Sequence, residues 1–124
     1  GHGGKKASQF VSAHLHRYVA DQLRHMTSEE FEDGALIKNC LRNAFAQVEE
    51  QWTVKAKQQN RTDGTTAVGA LVVEDRVYVA NLGDSRLIIC GGSGEVRFAT
   101  EDHKPDTPSE TARIKAAGGF VKMC

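Results

Sequence analysis

Apolar residues first recur along the chain at helical spacing. Ala7, Phe10, Val11, His14, Leu15, Tyr18, Val19 and Leu23 fall three and four apart, while Lys6, Gln9, Arg17 and Asp21 lie off that stripe. An amphipathic helix of about five turns is predicted from Ala7 onward. Thr27 followed three places later by Glu30 is a capping-box pattern: the hydroxyl accepts an orphan backbone N–H and the carboxylate reaches back to another. A second helix is predicted to start there. Its stripe runs through Leu36, Ile37, Cys40, Leu41, Ala44, Phe45, Val48 and Trp52, with the weak helix former Gly34 near its start. Polar residues from Lys55 to Arg61 predict a loop after it.

Beyond Gly64 the pattern becomes extended. Thr65 to Val73, Arg76 to Leu82, Arg86 to Cys90 and Glu95 to Ala99 are rich in β-branched and apolar residues and read as strands. They are joined by Glu74-Asp75, by Asn81-Leu82-Gly83-Asp84-Ser85-Arg86 and by Gly91-Gly92-Ser93-Gly94. This order predicts a meander of four antiparallel strands and an α+β fold, with the helix pair covering one face of the sheet. The other face needs a cover that these elements do not supply. Thr107-Pro108-Ser109-Glu110 reads as a second capping box with proline at the first helical position. A short helix is predicted to follow as far as Ala117, stopped by Gly118-Gly119, with an extended segment beginning at Phe120-Val121.

Composition narrows the class. The chain has 124 residues, of which 40% are hydrophobic and 26% charged, which suits one globular domain with an ordinary core. No apolar run is long enough to cross a bilayer, and no signal-peptide pattern opens the sequence. Sixteen basic residues balance sixteen acidic ones, so neither nucleic acid nor an anionic membrane is expected as a partner. Cys40, Cys90 and Cys124 are odd in number and widely spaced, which fits reduced thiols and a cytoplasmic or nuclear location better than a disulfide framework.

Candidate chemistry gathers at the second connection. Gly83 gives the backbone freedom at what is expected to be a hairpin tip, and Asp84 is a carboxylate placed past the end of a ladder, where a hard cation or a phosphoryl group can meet it. The plainer reading is that Asp84 closes its own turn by accepting a nearby N–H. His14, His16 and His25 form no ligand pair with an acidic partner, and Trp52 reads as core. His103 and Lys104 lie in a loop that either borders a substrate groove or anchors its neighbours. Gly91 to Gly94 lacks the strand-to-helix context of a nucleotide site and reads as a turn.

Gly1-His2-Gly3-Gly4, Asp63-Gly64-Thr65-Thr66-Ala67, Asn81 to Arg86, Asp102-His103-Lys104-Pro105 and Ala117-Gly118-Gly119 occur in the order and spacing of one family. Together they resemble metal-dependent protein serine/threonine phosphatases of the PP2C type, over essentially the whole chain. The resemblance implies an α-β-β-α sandwich, of which residues 1–124 would form an N-terminal part of the catalytic domain, truncated at both ends. It implies substrates that are phosphoserine and phosphothreonine proteins, and two or more Mg²⁺ or Mn²⁺ ions in the complete domain.

By the same resemblance, Gly1 matches a glycine whose carbonyl binds metal, and His2 matches the general acid that protonates the leaving oxygen. Asp84 matches a ligand of a further, weaker metal. The chemistry is coherent: paired divalent ions acidify a water between them and offset phosphoryl charge, and an imidazole assists an alkoxide that leaves poorly. The family's bridging aspartate and later metal carboxylates have no match within the chain, so the isolated polypeptide is expected to bind metal poorly, to turn over little and to self-associate through exposed sheet. Asp63 stands where serine is common and is expected to affect the start of the strand more than chemistry. A non-catalytic phosphatase-like scaffold is the alternative function.

Overall fold

The computed structural model describes residues 2–122. Its elements are α1 (Lys6–Leu23), α2 (Ser28–Glu32), α3 (Gly34–Gln58), β1 (Ala67–Val73), β2 (Arg76–Leu82), β3 (Ile88–Cys90), β4 (Val96–Ala99) and α4 (Pro108–Ala116). The fold is α+β, with antiparallel strand pairs and a packed helix pair.

α1 and α3 lie antiparallel along the stripes their sequences predict. At one end Phe10 packs 5.5 Å from Trp52, centroid to centroid, and at the other the Cys40 thiol lies 3.7 Å from the carbonyl of Gln22. Ile37, Leu41, Ala44, Val48, Trp52 and Ala56 form the buried face of α3. Two clusters result. Ala7, Trp52 and Ala56 meet with Phe10 beside them, and Ile37, Leu41 and Tyr78 meet with Val19, Phe31, Leu71 and Val73 around them. Ile37 is fully buried, a burial worth about 1.5–3 kcal/mol. His14 stacks on Phe10 at 4.2 Å and its Nδ1 bonds the Phe10 carbonyl at 2.7 Å, a packing role.

The second helix differs from its prediction. The capping box at Thr27 forms, with Glu30 N–H donating to Thr27 Oγ1 at 3.2 Å and Thr27 N–H to Glu30 Oε2 at 2.8 Å. Yet the helix breaks at Asp33, whose backbone is extended and whose carboxylate caps α3 by accepting Ala35 N–H at 2.8 Å. Gly34 then begins α3 against Tyr78: a Cβ there would sit 3.2 Å from the tyrosine oxygen. At Thr107 the capping box does not form. Its hydroxyl donates instead to the Lys104 carbonyl at 2.8 Å, and Glu110 is held by Arg113, although Pro108 does open α4.

The four-stranded meander is also corrected. β1 pairs with β2 and β3 with β4, as two separate two-stranded sheets. β2 does not continue to β3 because the backbone of Gly83 is already used: its carbonyl accepts His103 N–H at 3.0 Å and its N–H donates to His103 Nδ1 at 3.4 Å. The stretch 81–86 is therefore a link between two hairpins, not the tip of one. Beyond it Leu87 and Thr100 bond each other through Thr100 N–H to the Leu87 carbonyl and Leu87 N–H to Thr100 Oγ1, both at 3.0 Å, and this pair opens the second hairpin.

Candidate functional site

One half of the candidate site is built at the start of α1. Lys5, the residue before the helix, offers no side-chain cap. The missing acceptor comes from Asp63, whose Oδ2 takes the Ala7 N–H at 2.8 Å while Oδ1 takes Arg61 Nε at 2.6 Å. Asp63 is only 5% exposed, and a buried carboxylate persists where such partners surround it. The hydrogen bond from Arg61 is the chief reason its carboxyl lies below the ordinary range; burial opposes it. Trp52 Nε1 donates to the Asp63 carbonyl at 3.3 Å, and a Cβ on Gly3 would meet the Asp63 Cα at 3.1 Å. Gly3 has φ +76°, so glycine is favoured there by both conformation and space. His2, exposed, is tied by its carbonyl to Gly64 N–H at 2.9 Å.

The other half is the link 81–86. Asn81 Nδ2 donates to the carbonyls of Gly83 at 3.3 Å and Glu101 at 3.0 Å. Arg86 forks onto Asp102 with Nε to Oδ1 at 3.0 Å and Nη2 to Oδ2 at 2.9 Å. The Asp102 side chain is 16% exposed, and Lys104 Nζ approaches it at 3.8 Å. Hydrogen bonding from Arg86, ahead of its charge, holds the Asp102 carboxyl low. Ser85 Oγ shares a hydrogen bond of 2.6 Å with Thr66 Oγ1. Within this frame Asp84 is exposed, and among the described residues no hydrogen bond or ion pair engages its carboxylate. It does not close its own turn, so the plainer sequence reading is not seen.

Both halves stand at one end of the β1–β2 hairpin. His2 is bound to Gly64, and two residues on Thr66 touches the link through Ser85 and crowds Gly83. Gly1, expected as a metal ligand, lies outside the described residues. A free carboxylate suits a hard divalent cation, but among the described residues no group of three or more His, Cys, Asp or Glu gathers to hold one. Among the described residues Asp84 is thus an exposed carboxylate with no partner.

Two residues of this frame escaped sequence reasoning. In sequence Asp63 reads as a residue at the start of a strand, but the N–H it caps lies 56 positions earlier. Asp102 stands out only as part of a motif, and its partner Arg86 is 16 positions away. No local pattern signals either. The usable hint holds for Asp63 alone, which has Arg61 two residues before it and Gly64 beside it.

The chain is similar to known proteins over nearly its whole length. The family pattern described as Protein phosphatase 2C matches residues 1–123. A probable protein phosphatase 2C of Caenorhabditis elegans is 38% identical over 123 residues, covering 99% of this chain and 32% of the relative. Probable protein phosphatase 2C 59 of Arabidopsis thaliana is 38% identical over 121 residues, 98% of this chain and 36% of the relative. Protein phosphatase 1A of Homo sapiens is 33% identical over 125 residues, 99% of this chain and 32% of the relative. The chain thus spans about a third of the length of these relatives.

Proposed function

Since the chain belongs to the protein phosphatase 2C family, we propose that the protein carrying it hydrolyses phosphoserine and phosphothreonine esters in other proteins with Mg²⁺ or Mn²⁺ bound. The observation that carries this reading is the exposed carboxylate of Asp84, in a link that is bonded to Thr66, Glu101 and His103, at the same end of the hairpin as His2. Bound divalent ions supply a nucleophile at neutral pH and offset charge on the phosphoryl group. Asp84 is one of their oxygen ligands; Gly1, preceding His2, is read as another.

This chain's own residues would do the rest. His2 stands on a backbone fixed by Gly64 and by the Asp63 cap on α1, so its imidazole is carried on a rigid support. Its role is to hand a proton to the seryl or threonyl oxygen as the P–O bond breaks. General acid assistance of this kind is worth roughly 10²–10⁴-fold where the leaving group is a poor one.

The test is a leaving-group comparison on the full-length protein with Mn²⁺. His2→Ala should lower kcat on a phosphothreonine peptide by about 10²-fold or more. It should change kcat on p-nitrophenyl phosphate, whose leaving group needs no proton, by much less. Equal losses on both substrates would remove the general-acid role. No Mn²⁺-dependent hydrolysis by the wild-type protein would overturn the enzymatic reading in favour of a non-catalytic phosphatase-like scaffold.

A further inference from the structure

Building on the reading of Asp84 as a cation ligand, we propose that Asp102 and His103 are positioning residues that fix the 81–86 link so that the Asp84 carboxylate stands free for a divalent ion. Around Asp84 every neighbour in the link is engaged. The Gly83 carbonyl accepts the His103 N–H at 3.0 Å, and the Gly83 N–H donates to His103 Nδ1 at 3.4 Å. Arg86 is bound bidentately by Asp102, and Asn81 reaches the carbonyl of Glu101 at 3.0 Å. All three anchors come from one short segment, residues 101–103, brought back by the β3–β4 hairpin. On the opposite side Thr66 pins Ser85. Among the described residues the Asp84 carboxylate has no partner in this network.

The chemistry explains the division of labour. A carboxylate that bonded its own turn would have to exchange that bond for a cation, whereas a carboxylate on a loose loop would have to be ordered first. Bonding the neighbours instead avoids both costs. Residues that orient a ligand from behind change metal affinity by about 10–100-fold when lost. Nδ1 of His103 accepts the Gly83 N–H and so holds the backbone one residue before Asp84. The planar fork of Arg86 on Asp102 fixes the chain two residues after it, and a lysine cannot reproduce that geometry.

The experiment compares full-length wild-type protein with Asp84→Ala, Asp102→Ala, Asp102→Glu and His103→Ala. Mn²⁺ binding is followed by the electron-paramagnetic-resonance signal of free Mn²⁺, without substrate. Hydrogen exchange of the 82–86 amides in the metal-free protein gives a second readout. Asp102→Ala and His103→Ala are expected to speed exchange across the link and to weaken, by about tenfold, the same Mn²⁺ step that Asp84→Ala removes. Asp102→Glu, which keeps an acceptor for the arginine fork, is expected to recover part of the affinity. If Asp102→Ala does not fold, Arg86→Gln breaks the same pair from its exposed side and carries the same expectation. Faster exchange or a lower melting midpoint with unchanged Mn²⁺ binding, while Asp84→Ala still loses the step, would overturn the positioning role alone. Unchanged Mn²⁺ binding in Asp84→Ala would overturn the ligand reading and this inference with it.

Discussion

Asp63 shows how one residue sets the local frame. It accepts the N–H of Ala7 in the first turn of α1, holds Arg61, and offers its carbonyl to Trp52. Its carboxyl is held below the ordinary carboxylate range, chiefly by the Arg61 hydrogen bond. The folded state therefore binds this proton less readily than the unfolded chain. The stability it confers is complete above the unfolded value and is lost as pH falls through the folded value. Asp63→Asn is expected to lower the melting midpoint at pH 7, and the gap to wild type should close as melts are taken to pH 3 and below. A gap independent of pH would show that the charge contributes nothing. The contrast with Asp84 is instructive: two aspartates, each beside a glycine, look alike in sequence. One is enclosed by partners and the other has none, because long-range contacts decide the difference.

At the scale of elements, periodic patterns were legible and junctions were not. The apolar stripes of α1 and α3 appear where spacing predicts them, since a helix face is a local repeat. The break at Asp33, the idle capping box at Thr107 and the split of the meander all depend on which partner a side chain or backbone group finds. At Gly83 the partner is His103, and this contact separates the hairpins. Gly83 has φ +95°, and an added Cβ would lie 2.6 Å from Thr66 Cγ2. Gly83→Ala is therefore expected to cost about 1–3 kcal/mol. Adding Thr66→Ser, which removes the obstructing methyl but keeps the hydroxyl, should recover part of that in thermal melts. A fully additive double variant would mean that the methyl contact is not the source of the cost.

Taken as a whole, the molecule has a covered and an uncovered side. Leu71, Val73 and Tyr78 of the β1–β2 hairpin pack towards the helices, and their partners in register keep to that face. On the other face Val68, Val72 and Val77 are 37%, 66% and 46% exposed, and Phe98 of the second hairpin is 45% exposed. The sequence signalled this through strands too apolar for a one-sided sheet. The relatives, about three times as long, have further chain available to cover such a face. The motifs themselves were legible because their residues are local and distinctive; what holds them in place was not, because those contacts reach across the chain, from Arg86 to Asp102, from Ala7 to Asp63 and from His2 to Gly64.

The central claim is that the carboxylate of Asp84 contributes to binding a divalent ion used in phosphoester hydrolysis. It is tested most directly by titrating full-length wild-type and Asp84→Ala proteins with Mn²⁺ while following phosphate release from a phosphoserine peptide. Wild-type activity is expected to require Mn²⁺ and Asp84→Ala to need at least about tenfold more, with a melting midpoint close to wild type in metal-free buffer, since the side chain has no partner to lose among the described residues. Superimposable titrations of the two proteins would contradict it.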